Sequence, residues 1–444
     1  EMLRSLVGSE MCIRDRFCAG LYRRNFMKGM CSLKKKIHAK TILSVLAGII
    51  AGIAIFAGGC IYVYNVCSDI PQQIYVVCNQ DTTIDLNVPV VATADAGVDT
   101  SADLSKPFTV KADTTGDYEI ALKLFGIIPL PSVNVCVVDE KYLYPGGFQV
   151  GLYLKTEGIY VAGTGEFKDS TGNMVCPGME AVQAGDYITA VDGSYINYKY
   201  ELNKYIQTKK EEPVVLTVKR DSGIFDTSVT PVRTDEGDYK VGIWVKDDAQ
   251  GIGTLTYIDS DNNFAALGHG ISANQSQQTL SINSGSLYNT RIVSIVKGQK
   301  GTPGEFIGTI DYKGVNRIGN IEKNSVCGVF GSMTKDMVNE YGITPVKVGF
   351  SQEVHKGKAY IRMYADGGFK DYEIKITGLS YSSDKNITLK VVSDELIDKT
   401  NGVVQGMSGC PIIQDDKIVG AVTHVFIDDP SCGYGIFIEN MLPD

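Results

Sequence analysis

Two kinds of hydrophobic pattern divide the chain. One apolar run extends from Thr41 to about Val66 and contains no charged residue. After it, apolar and polar positions alternate in short segments, as in residues 73–77 and 213–220, and turn residues separate these segments. Alternation is typical of β-strands with one buried face, whereas an uncharged run of this length predicts a membrane-spanning helix. The chain is therefore predicted to be mainly β, with one transmembrane helix on its amino-terminal side.

The residues before the apolar run predict its orientation. Residues 34–40 read Lys-Lys-Lys-Ile-His-Ala-Lys, and basic residues beside a membrane helix stay on the cytoplasmic side. We expect a single-pass anchor in the cytoplasmic membrane over residues 41–66, with everything after it exported. Residues 1–40 are a leader with a basic cytoplasmic end. Within it, residues 1–26 carry scattered arginines without a periodic pattern and resemble upstream sequence, so we exclude them from fold reasoning.

Composition excludes several classes of function. The 444 residues carry a net charge of −9, and nucleic-acid binding requires a basic surface, so no nucleic-acid partner is expected. The 11 cysteines are scattered and include no CxxC spacing, so neither a zinc site nor a redox site is predicted. Cys410 and Cys432 flank one region and are interpreted either as a pair or as free thiols. We expect no metal and no cofactor.

The exported part divides into three predicted domains. Residues 67–130 read as a β-rich spacer without recognisable chemistry. In residues 131–233, the run Ala-Gly-Asp-Tyr-Ile-Thr-Ala-Val-Asp-Gly at positions 184–193 resembles the signature of PDZ domains, and a segment of helical period follows at 198–207. A PDZ domain binds an extended peptide at a sheet edge and holds its carboxylate with backbone N–H groups of a glycine-rich loop. That loop is predicted at Gly146, Gly147, Phe148 and Gln149.

The last domain, residues 234–444, contains a candidate nucleophile. The sequence Gly-Met-Ser-Gly-Cys-Pro places Ser408 between glycines, with β-like segments on either side. A serine on a tight turn presents its hydroxyl while neighbouring backbone N–H groups point to the same place, as acyl transfer requires. In a chymotrypsin-like double β-barrel the oxyanion hole would consist of the N–H groups of Gly406 and Ser408. Glycine-flanked serines also occur in turns without chemistry, so the motif needs partners.

Few residues qualify as partners of Ser408. His38 precedes the membrane run, which leaves His269, His355 and His424 as general bases. We favour His269, since it follows an apolar segment and lies between two glycines; His355 reads as a solvated turn residue and His424 as a buried structural one. For the acid, Asp394 lies 14 residues before the serine (408 − 394) and Asp311 lies 42 residues after the histidine (311 − 269). Spacing alone does not choose between them.

Taken together, these segments resemble the SpoIVB peptidases of endospore-forming bacteria. The resemblance lies in a membrane anchor, a PDZ domain, Leu-Gly-His-Gly-Ile at 267–271, Val-Val-Gln-Gly-Met-Ser-Gly-Cys-Pro-Ile-Ile-Gln at 403–414 and Gly-Ala-Val-Thr-His-Val-Phe at 420–426. It implies Ser408 as nucleophile and His269 as base. The family's acid lies shortly before the nucleophile motif, which favours Asp394, although the spacing here is one residue short.

The resemblance also implies a role. Peptidases of this family are exported into the forespore intermembrane space, cut themselves, and cleave a membrane-bound regulator of an intramembrane protease, which leads to sigma factor activation. Two rival hypotheses are a non-catalytic PDZ scaffold and an HtrA-like quality-control protease. In the latter class the peptidase precedes the PDZ domain, which is the reverse of the order predicted here.

Overall fold

The computed structural model describes residues 28–86, 88–94, 101–221, 223–272, 278–383 and 385–443. The predictions for residues 1–26 fall outside this part of the chain. Contacts divide the chain into two compact units, Glu1–Asn65 and Val66–Asp444. The fold is mainly β, as the hydrophobic pattern predicts.

The first helix contains the predicted apolar run. Helix α1, Lys28–Ser68, includes the segment Ile42–Ser68, whose mean hydropathy is 2.3. Its large apolar side chains are exposed, for example Ile55 at 77% and Phe56 at 75%. Among the described residues it is the one helix long and apolar enough to cross a membrane.

The remaining elements follow in chain order. The strands are β1 (Gln73–Val77), β2 (Thr82–Ile84), β3 (Val90–Ala94), β4 (Ser101–Asp103), β5 (Phe108–Val110), β6 (Gly116–Leu124), β7 (Ile128–Val138), β8 (Tyr142–Pro145), β9 (Gln149–Thr164), β10 (Phe167–Lys168), β11 (Met174–Val175), β12 (Tyr187–Val191), β13 (Ser194–Tyr195), β14 (Val214–Arg220), β15 (Gly223–Val229), β16 (Val232–Arg233), β17 (Tyr239–Lys240), β18 (Ile243–Ile258), β19 (Asn263–Ala266), β20 (Ile282–Val296), β21 (Glu305–Ile310), β22 (Arg317–Ser325), β23 (Gly328–Met333), β24 (Val346–Val348), β25 (Gly357–Ala365), β26 (Gly368–Leu379), β27 (Ile387–Val391), β28 (Pro411–Gln414), β29 (Lys417–Val425) and β30 (Cys432–Phe437). The further helices are α2 (Lys199–Lys209), α3 (Met337–Tyr341) and α4 (Asp394–Thr400).

The region predicted as a spacer is a small β-module. Its main sheet has the strand order β1-β7-β6-β3-β4, and β2 pairs with β5 separately. Strand β7 alternates exposed and buried positions along part of its length and continues to Val138, beyond the boundary near residue 130 that the sequence suggests.

Two closed rings of strands form the centre of the second unit. In the first, β9, β18, β19, β23, β22 and β20 pair in this order, and β20 pairs back to β9, each pair antiparallel. In the second, β25, β26, β27, β30, β29 and β28 close in the same way. Alternate side chains fill each interior, such as Leu152 and Leu154 in the first and Ile374 and Ile376 in the second. The predicted double β-barrel is therefore present.

Strands β8 and β24 connect the two barrels. Strand β8 pairs with β18 of the first barrel and with β24, and β24 pairs in parallel with β29 of the second barrel. The barrels are thus joined through a continuous ladder of hydrogen bonds, which holds loops from both barrels in a fixed relation.

A separate module is inserted into the first barrel. The first part of β9 and the last part of β18 belong to the barrel, whereas Tyr160 to Thr164 pair with Ile243 to Lys246 in a second sheet with β12, β14 and β15. Helix α2 covers this sheet because Leu202 and Ile206, one turn apart, are its buried residues. The chain therefore enters the first barrel before the module and returns to it afterwards, so the peptidase part includes residues near 142–156 that the sequence assigned to the PDZ domain.

Candidate active site

Two glycines shape the turn that carries Ser408. Gly406 has a φ of +99° and Gly409 a φ of +97°, a region that residues with a side chain rarely adopt. A Cβ atom at Gly409 would lie 2.0 Å from the carbonyl oxygen of Thr254, so no other residue fits there. The glycines predicted to flank the nucleophile are therefore required by the backbone itself.

Ser408 is half-buried, and its hydroxyl donates a hydrogen bond to a main-chain carbonyl. Ser408 Oγ donates a hydrogen bond to the main-chain oxygen of Thr423 at 2.7 Å. Within the described residues, the N–H groups of Gly406 and Ser408 have no intramolecular acceptor. Free N–H groups of a serine and of the residue two positions before it are the donors that an oxyanion needs.

Contacts on both sides fix the peptide that carries the Gly406 N–H. The carbonyl oxygen of Gln405, which belongs to the same peptide group, accepts from the N–H of Phe306 at 2.9 Å. Met407 is fully buried in the apolar core of the second barrel. The turn is thus anchored by main-chain hydrogen bonding and by packing.

His269 lies on a second tight turn, at the end of β19. Leu267 and Gly268 have φ values of +72° and +69°, and they turn the chain so that the half-buried imidazole follows the strand end. His269 Nδ1 is 2.9 Å from the carbonyl oxygen of Gly270. Since a carbonyl only accepts, Nδ1 carries the proton and Nε2 keeps its lone pair, which is the tautomer of a general base. Burial lowers the pKa of His269 below its ordinary value, and the bond to Gly270 opposes this only in part.

The structure brings the serine turn and the histidine turn together. The His424 ring lies 5.0 Å from the His269 ring, and the residue before His424 is Thr423, whose carbonyl accepts the Ser408 hydroxyl. A Cβ atom at Gly268 would lie 3.0 Å from the Thr423 methyl group. His269, Ser408 and the segment 423–424 therefore form one cluster between the barrels. In contrast to the sequence interpretation, the side chain of His424 is exposed on β29.

Two residues that the sequence did not single out stabilise this cluster. Thr254 on β18 bonds to both turns and is considered in detail below. Asn324 on β22 accepts from the N–H of Ile271 and donates to the carbonyls of Ile271 and Leu280, each at 2.9 Å. Asn324 thereby holds the chain that leaves His269. Neither residue belongs to a recognisable motif, since each acts through partners distant in the sequence.

The two carboxylates considered as the acid lie on the surface. Asp394 is the first residue of α4 and is exposed; within the described residues it makes no hydrogen bond or ion pair with His269. Asp311 is also exposed and accepts from the N–H of Lys313 at 3.2 Å. The position that a triad acid takes beside Nδ1 is occupied here by the Gly270 carbonyl.

The remaining histidine and the cysteines have structural roles. His355 is exposed, and its ion pair with Asp415 at 2.8 Å raises its pKa, consistent with a solvated turn residue. Cys410 is buried and free, with its pKa raised by burial to about 12, and Cys432 is also free. Among the residues described, no group of three or more His, Cys, Asp or Glu side chains is arranged to hold a metal ion.

Comparison with protein families finds a match, which covers the second barrel and most strands of the first. Residues 237–442 match the family described as SpoIVB peptidase S55. The matched residues are thus similar to the SpoIVB peptidases. The protein is accordingly a serine peptidase, and the S55 match includes both Ser408 and His269.

Three solved structures are similar to parts of the chain. The PDZ domain of the SdrC-like protein from Listeria monocytogenes is 24% identical, covers 20% of this chain and 90% of its own, and has a TM-score of 0.18. The inactive form of the Rv3671c protease is 16% identical over 43% of this chain and 80% of its own, and the active form from M. tuberculosis is 15% identical over 44% and 71%; both have a TM-score of 0.25. No curated protein matches the chain.

The structure places the run predicted as the PDZ loop within the first barrel. The N–H groups of Gly146 and Gly147 donate to the carbonyls of Thr256 and Leu255 at 2.8 and 2.7 Å. Phe148 is 5% exposed in the core of the first barrel, and Gln149 opens strand β9. Amides already bonded to β18 are not available to a peptide carboxylate. Glycines allow another backbone to come close, which is why the sequence of this run predicts a binding loop. In the structure the backbone that comes close is that of strand β18 and not that of a peptide ligand.

The inserted module has a groove elsewhere. A cavity of about 530 Å³ lies between α2 and the chain from Tyr239 to Val245, and Leu202 and Ile206 contribute to its apolar wall. The aspartates of the run at 184–193, Asp186 and Asp192, have structural partners. Buried Asp186 forms hydrogen bonds of 2.7 and 2.8 Å with Arg220, and Asp192 accepts from the N–H of Val215.

Proposed function

We propose that this protein is a membrane-anchored serine endopeptidase in which Ser408 is the nucleophile and His269 the general base. One observation carries the proposal: a serine hydroxyl on a glycine-shaped turn, with two free N–H groups, lies in one cluster with an imidazole in the tautomer of a base. Serine and histidine are 139 positions apart (408 − 269), so folding, and not sequence proximity, brings their turns together.

The proposed chemistry uses only groups of this chain and water. Ser408 Oγ attacks the carbonyl carbon of the peptide bond while its proton passes to Nε2 of His269, and the N–H groups of Gly406 and Ser408 bind the oxyanion. The imidazolium then protonates the leaving amine as the C–N bond breaks. Water, deprotonated by the same imidazole, releases the acyl group. We retain Asp394 as the acid on the basis of the family resemblance. For Asp394 to accept from Nδ1, the imidazole must turn from the Gly270 carbonyl.

The proposed biological role follows the family resemblance. The lysines that precede the apolar segment of α1 favour a cytoplasmic amino terminus and an exported catalytic part, in the forespore intermembrane space. There the enzyme cleaves itself and a membrane-bound regulator of an intramembrane protease, in a sporulation pathway that leads to sigma factor activation. The groove beside α2 is a suitable site for a peptide ligand of the PDZ module.

The experiment uses the full chain in membranes. A fluorophosphonate probe is expected to label the wild-type protein at Ser408 and not the Ser408→Ala variant. The amino termini of fragments are mapped for both forms, and self-cleavage predicts fragments in the wild type alone. Absence of labelling at Ser408 in folded protein would overturn the proposed nucleophile, whereas labelling without fragments would remove self-cleavage only.

A further inference from the structure

Thr254 uses all three of its polar groups at the proposed active site. It lies on β18 and its side chain is fully buried, at 0% exposure. Its hydroxyl donates to the carbonyl of Gly406 at 2.7 Å, and its N–H donates to the carbonyl of Ser408 at 2.8 Å. Its own carbonyl accepts from the N–H of Leu267 at 3.2 Å, two residues before His269. One residue of the first barrel thus bonds to both turns.

The hydroxyl bond fixes the turn where the oxyanion would lie. Gly406 has an unusual φ, and as a glycine it has access to many other backbone conformations. Phe306 holds the peptide before Gly406, and the Thr254 hydroxyl holds the peptide after it. With both neighbouring peptides fixed, the Gly406 N–H keeps one direction. The thiol of Cys410 donates to the oxygen of the same hydroxyl at 3.6 Å, so this hydroxyl both donates and accepts a hydrogen bond.

We propose that Thr254 is a positioning residue for the peptidase reaction: its buried hydroxyl holds the oxyanion-binding turn in its working conformation, and its main-chain carbonyl bonds to the turn of His269. This rests on the proposed roles of Ser408, Gly406 and His269. Thr254 does not touch the substrate; it acts through the Gly406 carbonyl. A misplacement of about 1 Å in such a site costs on the order of 100-fold in rate.

The same strand provides a matched control. Thr256, two residues further along β18, is also at 0% exposure, yet its hydroxyl has no hydrogen-bond partner among the residues that the structure describes. Thr254→Val and Thr256→Val remove the same atom from the same strand at the same burial. Only the first removes a bond to the turn.

The test measures phosphonylation of the purified full chain by a fluorophosphonate probe. In this step Ser408 Oγ forms a bond to phosphorus, fluoride leaves, and the hydroxyl proton passes to His269. We expect Thr254→Val to lower the maximal labelling rate on the order of 100-fold with the probe's half-saturating concentration changed less than about threefold. Thr254→Ser, which keeps the hydroxyl, is expected to restore the rate to within about fivefold, and Thr256→Val to remain within about twofold of wild type.

Each outcome has a defined meaning. Equal rates for Thr254→Val and Thr256→Val, or a serine variant as slow as the valine variant, would overturn the proposal. Thermal unfolding followed by circular dichroism establishes that each variant is folded. If Thr254→Val does not fold, Thr254→Ala replaces it; failure of both, with Thr256→Val folded, would make Thr254 a stability residue and overturn the proposal. Failure of the wild type to label at Ser408 would instead remove the proposed function.

Discussion

The hydroxyl of Ser408 donates to the main-chain oxygen of Thr423, 2.7 Å away, and not to a histidine. In the proposed mechanism this proton passes to His269, which requires the hydroxyl to turn from Thr423. A rotation about one side-chain bond leaves the backbone of the turn unchanged. The oxyanion donors are thus in place before the nucleophile is, and the predictions below separate the parts that are fixed from those that move.

The identity of the acid is testable with two exposed aspartates. Asp394→Asn is expected to lower peptidase activity on the order of 10³-fold or more, because an asparagine does not stabilise the imidazolium. Asp311→Asn, an equally conservative change at an exposed residue, is expected to leave activity within about twofold. The measurement is the maximal rate of fluorophosphonate labelling. A small effect of Asp394→Asn would indicate that the Gly270 carbonyl alone orients His269.

The low pKa of His269 predicts a specific pH dependence. Burial disfavours the imidazolium and lowers the pKa of His269. His269 therefore stays neutral, and able to accept a proton, at pH values below the ordinary histidine pKa of about 6.5. The labelling rate of the wild type is expected to fall with acid, with a midpoint below pH 6.5. Since the unfolded chain binds this proton more readily, stability also decreases as the pH falls through this range.

The choice of base is tested with the neighbouring ring. His269→Gln is expected to lower the labelling rate by about 10³-fold or more and to remove the decrease of the rate at acid pH, called here the acid limb. His424→Gln, which changes the ring 5.0 Å away, is expected to leave the acid limb in place. Loss of that limb in His424→Gln alone would assign the base to His424.

Gly409 is expected to tolerate no side chain. In Gly409→Ala the new Cβ lies 2.0 Å from the Thr254 carbonyl, and backbone atoms do not move as a flexible side chain would. We predict that the variant loses several kcal/mol of stability, about 3 or more, and its labelling at Ser408. Gly172→Ala is the control, because its φ of +90° is similar but nothing lies within 4 Å of the added atom. Thermal unfolding compares the two; an equal loss would show that the left-handed conformation, and not the close approach, is responsible.

Met407 is expected to require an apolar side chain. It is fully buried in the core of the second barrel, so Met407→Asp places a carboxylate among apolar groups without a described cationic partner. The cost is on the order of 3 kcal/mol or more, and the melting temperature falls accordingly. Met407→Leu, which conserves volume, is expected to cost less than about 1.5 kcal/mol. A stable, active aspartate variant would mean that the turn repacks readily.

Local patterns determine much of this protein. The apolar run of α1, the helical spacing of Leu202 and Ile206, and the glycines around Ser408 and His269 each act within a few residues, so the sequence alone predicts them. The alternating pattern also predicts strands, and the motifs around residues 267–271 and 403–414 suffice to recognise the peptidase.

Tertiary structure decides which strands share a sheet and which distant atoms meet. Strands β9 and β18 each run from the barrel into the inserted module, and only their partners show where one sheet ends and the other begins, so the sequence does not reveal that the module interrupts the barrel. The glycines at 146 and 147 are compatible with a binding loop and with a close contact between strands. The hydrogen bonds to β18 show that they serve the strand contact. The bond from Thr254 to Gly406 joins residues 152 positions apart, and a single threonine in a strand carries no local mark of such a partner. Hydrogen bonds and packing between distant segments depend on closure of both barrels, which no short stretch of sequence encodes.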